Sequence, residues 1–401
     1  MEKMYTPSDD ILKKYADVMI NFALNGGRGI KAGEVALINI PECAKPFLKP
    51  LYETILEAGG HPIVNYIPDG ISRTLFEKGS DEQINFFPEK MLRGKVDEIN
   101  HWIRILSDED PKEMAGIDPK KLMARQVSHK PFREWIDKKE NDGKLSWTLC
   151  LYATPKMAEE ANLSLEDYWE QIIKACYLED ENPVETWKNV QKNIDKTINW
   201  LDNLKIEFVN IKSENTDLNI RIGDFRKWLG GRGCNIPSFE IFTSPDYRYT
   251  NGFITFTEPL YRYGDLIEGI RLEFEKGKIT KATAKKNEKL LLEMISQKNA
   301  DRLGEFSLTD RRFSNITKFM AETLFDENVG GENGNTHIAI GKAFSEAYSG
   351  DIKDFDNIKD ELGFNDSVIH TDIVSTENRV VTATTFSGQK IVIYKNGQFQ
   401  N

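Results

Sequence analysis

Cysteine and histidine are scarce in this chain, and its apolar runs are short. The four cysteines, Cys43, Cys150, Cys176 and Cys234, stand far apart with no CxxC pair. That spacing excludes a disulfide framework and a zinc-finger cluster, and predicts four buried or half-buried thiols. No stretch approaches the ~20 consecutive apolar residues a membrane helix requires. The opening Met-Glu-Lys-Met-Tyr-Thr lacks the basic start and apolar run of a secretory signal, so the cytoplasm is the expected compartment. Positive charge is also in deficit: 53 Lys and Arg stand against 64 Asp and Glu, a net charge of −11. Such a surface repels phosphate backbones and anionic lipid, so neither nucleic acid nor membrane is an expected partner.

What is present suits a soluble protein of two domains. The 401 residues exceed the ~250–300 that one core usually spans. With 39% hydrophobic and 29% charged residues, the chain has ample material for packed interiors. Residues 9–25 carry Ile11, Leu12, Tyr15, Val18, Met19 and Phe22 at helical spacing, stopped by Gly26-Gly27. Glu34–Pro41 is a short apolar run that predicts a buried strand, residues 45–58 return to helical spacing, and His61–Ile67 predicts the next strand. Strand, helix, strand is a βαβ unit and implies a parallel sheet. Gly26-Gly27-Arg28-Gly29 precedes a strand instead of following one, so it reads as a turn and not a phosphate loop. Residues 110–205 are rich in helix formers, with Trp147–Ala153 as a further strand. From about 205 short β-type runs take over: Ile206–Ile211, Leu218–Ile222, Gly252–Phe256 and the strands and turns of Arg379–Tyr394. The expected fold is therefore α/β, with an N-terminal parallel α/β domain over 1–205 and a strand-rich α+β catalytic domain over 206–401.

Of the five histidines, His61, His101 and His129 show no partner in the sequence and are expected to be structural or surface residues. The other two have company. His370-Thr-Asp372 places an imidazole and a carboxylate two residues apart, on one face if the segment is a strand. A glycine- and asparagine-rich loop, Phe325-Asp-Glu327 through Asn335, leads to His337. Glu240 lies alone in an uncharged stretch between Pro237 and Pro245, where burial is costly unless something pairs with it. Glu305 follows Gly304 beside apolar residues. Singly, each reads as a surface pair, a flexible loop or a turn. Together they supply the imidazole and carboxylate donors that Zn²⁺, Mn²⁺, Co²⁺ and Fe²⁺ accept, and the inventory of a hydrolytic centre with paired ions.

The order of these pieces resembles a known family. Asn235-Ile-Pro-Ser-Phe-Glu240-Ile-Phe-Thr-Ser-Pro245, followed by Asn251-Gly252, is similar to the Pro-x-Gly-Glu-Val-Phe-Thr-Ala-Pro…Asn-Gly signature of the aminopeptidase T family of metallo-aminopeptidases. Gly304-Glu305, Phe325-Asp-Glu-Asn328, Thr336-His337-Ile-Ala-Ile-Gly341 and His370-x-Asp372 follow in the family's order. By motif the resemblance covers about residues 205–401. It implies metal ligands at Glu240, Glu305, Glu327, His337, His370 and Asp372, and a catalytic role for Glu305. It also implies two divalent ions (Zn, Co or Mn), short peptide substrates with a free N-terminus, and a homodimer. Three departures stand out. Phe239 replaces the family's glycine, and the loop from Glu327 to His337 is longer. Phe344 occupies the place of a tyrosine, for which Tyr348 is the candidate substitute toward substrate if that segment is helical. Two other readings remain open: an iron-dependent ring-cleaving dioxygenase on the same fold, and a metal-free, inactive binding protein.

Overall fold

The computed structural model describes residues 5–262 and 265–401. The chain divides into two compact units: one runs to Lys188 and takes back Arg232–Pro237, the other comprises Asn189–Gly231 and Ser238–Asn401. The sequence placed the change of character near 205. The units part earlier, inside the long helix Pro183–Leu204.

The first unit is built on a parallel sheet. Strands β1 (Val35–Pro41), β2 (His61–Ile67), β3 (His101–Leu106) and β4 (Ser146–Leu151) run in the order β2-β1-β3-β4, with Asn235–Ile236 added beside β4. Every pairing is parallel, as the βαβ reading required. Helix Lys45–Glu57 joins β1 to β2 and ends at the Gly59-Gly60 turn. A Cβ at position 60 would press on the tip of Ile30 at 2.6 Å and lie 3.1 Å from Ile55, so the turn packs closely there. Ile38, Ile40, Ile103, Cys150 and Leu151 form the buried layer of the sheet. The first helix, Asp9–Val18, is capped by the Ser8 hydroxyl and loosens into a π-turn at Met19–Ala23 before the left-handed Asn25 and Gly26. Strand β3 carries no turn signal at its entry and was not legible in the sequence.

The second unit holds an eight-stranded sheet, from Lys278–Thr283 at one edge to Gln398–Phe399 at the other, and a separate five-stranded sheet. The latter consists of β5 (Glu240–Thr243), β6 (Leu303–Thr309), β7 (Asn335–Gly341) and β8 (His370–Ser375), in the order β8-β7-β6-β5, with Leu229–Gly230 outside β5. All its pairings are antiparallel. Every residue of β6 and β7 is buried, so these central strands are covered on both faces. This overturns the surface-turn reading of Gly304-Glu305. A Cβ at Gly304 would lie 2.3 Å from the Lys342 carbonyl, and one at Gly341 (φ +102°) would lie 2.0 Å from that of Ile369. Both positions need glycine for the strands to close up.

Candidate metal centre

Register delivers the site. Across the antiparallel ladder Thr309 faces Glu240, Ser307 faces His337, Ala339 faces both Glu305 and Asp372, and Gly341 faces His370. Cross-strand partners share a face, and so do residues two apart along a strand. Glu240, Glu305, His337, His370 and Asp372 therefore project from one face, contributed by four strands. The residues between them are small (Ser307, Ala339, Gly341), which leaves room for the long side chains to converge. Glu305 is the last residue in the regular register of β6 on β7, and the ladder shifts by one between it and Leu303.

The structure brings five of the six candidate ligands into two triads, Glu240–Glu305–His337 and Glu305–His370–Asp372, each with ligand atoms within 4.8 Å of one another. Glu305 belongs to both. Its Oε1 lies 3.0 Å from His337 Nε2, and its Oε2 lies 3.7 Å from His370 Nε2. Glu240 Oε2 is 3.2 Å from His337 Nε2, and Asp372 Oδ1 is 3.5 Å from His370 Nε2. The opposite ring nitrogens are held by main chain. His337 Nδ1 donates to the Glu327 carbonyl at 3.1 Å, and His370 Nδ1 donates to the Lys342 carbonyl at 2.8 Å. Those bonds fix the tautomer, so in the neutral imidazoles both Nε2 lone pairs face carboxylate oxygens. Two acceptors at 3.0 Å repel unless a cation lies between them. The donor set thus calls for a proton or a metal ion.

In the metal-free chain, protons fill that role. Burial pushes the His337 pKa down, but hydrogen bonds to Glu240 and Glu305 and their charges overcome it and hold it well above the ordinary imidazole value. His370 is likewise opposed by burial yet raised to about 9, by Asp372 and then Glu305. Burial raises Glu305 to about 7 against the pull of His337, with the Glu240 and Asp372 charges adding to it. Glu327 is raised well above its usual range by burial and by the charges of Glu240 and Asp372. Its carboxylate belongs to neither triad, but it lines a recess together with Asp372, Leu260, Tyr261, Thr323 and Asp326.

Tyr348 lies elsewhere. Residues Ser345–Ala347 make a single 3₁₀ turn, and Tyr348 is buried in an aromatic cluster with Phe355 and Phe364. No helix carries its hydroxyl toward the triads, so Tyr348 does not take the place of the family's tyrosine. Phe344 itself packs edge-on against the His370 ring, centroids 4.8 Å apart. Phe239 is fully buried and its N–H donates to Asn328 Oδ1 at 2.6 Å. Asn251-Gly252 serves the eight-stranded sheet: Asn251 Oδ1 accepts from Lys276 N–H, and a Cβ at Gly252 would meet the Asp217 carbonyl at 2.1 Å. The sequence reading missed the carbonyls of Glu327 and Lys342 and the side chain of Asn328, since main-chain acceptors leave no residue-type signal.

A sheet face that gathers two imidazole–carboxylate triads, in a chain with a separate parallel α/β unit, has the donor arrangement of a metal-dependent enzyme. The sequence pattern of the thermophilic metalloprotease (M29) family matches residues 8–399, and the chain belongs to that family. It is 26% identical to aminopeptidase AmpS of Bacillus subtilis, over 97% of this chain and 98% of that one. It is 25% identical to aminopeptidase T of Thermus thermophilus, over 97% and 99%. Its fold matches that of wild-type AmpT from Thermus thermophilus with a TM-score of 0.84 at 23% identity, covering 98% of this chain and 99% of the other. The family and fold expectations from the motifs are met across both units, not only over residues 205–401.

Proposed function

We propose that this protein is an aminopeptidase that removes the N-terminal residue from short peptides with a free amine, using two divalent ions (Zn, Co or Mn). The observation that supports it best is Glu305, whose two oxygens face two different imidazoles from two triads. With a divalent ion held in each triad, Glu305 would be a ligand common to both positions of a two-ion hydrolytic centre. Glu240 and His337 complete one position, and His370 and Asp372 the other. A single-iron ring-cleaving site needs only one such set, so the duplication favours hydrolysis.

Bound divalent ions supply Lewis acidity toward the scissile carbonyl and acidify a water for attack. The chain's own groups do the rest. The Glu327 and Lys342 carbonyls keep both imidazoles in the Nε2-ligating tautomer. Glu305 is the catalytic carboxylate of this reading: buried between the triads, it belongs to both sets of ligands. The free amine of the peptide is taken to bind a metal position or an acidic side chain beside it, which restricts cleavage to the first residue and excludes an acylated one. Phe344 packs edge-on against the His370 ring and supports its orientation. A homodimer in the cytoplasm completes the reading.

The test is hydrolysis of free-amine dipeptides and aminoacyl-anilides with and without Co²⁺, Mn²⁺ or Zn²⁺. Metal-dependent release of the first residue, blocked by N-acetylation, is expected. No turnover by folded protein with any of the three metals overturns the reading in favour of an inactive scaffold.

A further inference from the structure

We infer that the Glu327–Asn328 turn is the brace of one metal position only, with Asn328 as a positioning residue for the Glu240–Glu305–His337 triad. The inference rests on the two-ion reading above. Asn328 is fully buried. Its Oδ1 accepts from the N–H of Phe239, the residue before Glu240, at 2.6 Å. Its Nδ2 donates to the Leu324 carbonyl at 3.0 Å and lies 3.4 Å from Glu327 Oε1. One side chain thereby ties the start of β5 to a turn 89 residues further along the chain. The adjacent Glu327 carbonyl accepts from His337 Nδ1 at 3.1 Å and from Asn335 Nδ2 at 2.9 Å. Two consecutive residues thus hold two of the three members of this triad: Glu240 through its neighbour's amide, and His337 through its ring nitrogen.

The other triad is braced separately. His370 Nδ1 donates to the Lys342 carbonyl, and Asp372 shares the strand of His370. Nothing in that bracing passes through Asn328. A plain structural amide would stabilise the fold and leave both ion positions alike. A brace of one triad makes the positions respond differently when it is removed. Outer hydrogen bonds to metal-ligating imidazoles are typically worth ~10–100-fold in metal affinity, because a ligand free to turn loses its aim.

The experiment is a Co²⁺ titration of the full-length metal-free chain against a chromophoric competitor, reading both affinities and the visible Co²⁺ absorption. It is run on wild type, Asn328→Ala and Asn328→Ser, with the unfolding midpoint of each metal-free protein measured alongside. Serine retains a small acceptor near Phe239 N–H and keeps the test alive if alanine does not fold. The expected result is two ions in wild type and, in the variants, one of them bound about 10–100-fold more weakly. The visible spectrum of that ion changes, and the other affinity stays within about twofold. Equal loss at both positions, or unchanged affinities with only a lowered unfolding midpoint, overturns the inference and leaves the two-ion reading standing. A wild type that binds a single ion overturns the two-ion reading instead. The brace is then judged on that ion, and an unchanged affinity in the variants rejects it.

Discussion

Each unit of this protein buries a histidine against a glutamate, and the two pairs have opposite chemistry. In the first unit His101 is 1% exposed, with Nε2 2.8 Å from Glu34 and Nδ1 2.8 Å from the Ser146 hydroxyl. Ser146 Oγ accepts from Asn25 N–H, and Glu34 accepts from Lys31 N–H. That leaves one consistent assignment: Nε2–H donates to Glu34, and Nδ1 accepts from Ser146. Every hydrogen and lone pair of the ring is used within the chain. Burial then keeps the His101 pKa below its ordinary value despite Glu34. In the second unit His337 spends its one N–H on a carbonyl and turns a lone pair toward two carboxylates. Its pKa is driven up. A buried imidazole beside a carboxylate is thus a structural bolt when the chain completes its hydrogen bonds, and a cation site when it leaves two acceptors facing each other.

The sharpest way to break this contrast is to remove the shared carboxylate. Glu305→Gln is expected to lower kcat/KM on a free-amine dipeptide by on the order of 10³-fold or more, as loss of a central catalytic group does. Steady-state kinetics on metal-reconstituted protein reads the effect. A loss under tenfold would place the chemistry elsewhere. Next in size is metal removal. An ion at a thousandfold its dissociation constant stabilises the folded state by about 4 kcal/mol. Chelation is therefore expected to speed amide exchange in β6, β7 and β8 while leaving β3 and β4 unchanged, which hydrogen-exchange mass spectrometry resolves. Uniform loss of protection in both units would erase the distinction.

His101→Ala strands Glu34 and Ser146 and is expected to cost about 1–3 kcal/mol of stability, with metal content by elemental analysis unaltered. A drop in metal content would mean the bolt is not purely structural. The smallest effect is in pH. The folded-state pKa of His101 lies below the unfolded value of 6.5, so the unfolded chain binds more protons between the two. The stability this residue contributes is fully present above about pH 6.5 and is lost as pH falls from there toward the folded value. Glu34, whose pKa is also depressed, against its own burial, by bonds from Lys31, His101 and Asn25, acts in the same direction at lower pH. The difference in unfolding free energy between wild type and His101→Ala, followed by denaturant unfolding from pH 7 to 5, is expected to shrink as pH falls; a difference that does not change with pH contradicts this assignment.

Much of this contrast could be read from the chain, and the unread parts share a cause. His370-x-Asp372 was legible because strand geometry puts residues two apart on one face. Gly304-Glu305 and Thr336-His337 were legible as motifs, though the burial of β6 and β7 on both faces was not. The βαβ opening followed from the apolar runs Glu34–Pro41 and His61–Ile67 with helical spacing between them. His101 was read as structural or surface without partners, because Glu34 and Ser146 lie far away in sequence and only the parallel register of β1, β3 and β4 assembles them. The Glu327 and Lys342 carbonyls were invisible for a simpler reason: every residue carries one. Tyr348 was placed by counting helical turns, and the chain has a single 3₁₀ turn there instead.

The central claim, a Glu305 carboxylate shared by two ions, is tested most directly by anomalous diffraction at the absorption edge of the added metal, on crystals of the reconstituted protein. The account predicts two peaks about 3.5–4 Å apart, one beside Glu240 and His337 and one beside His370 and Asp372, with Glu305 touching both. A single peak, or a pair that Glu305 does not join, would contradict it.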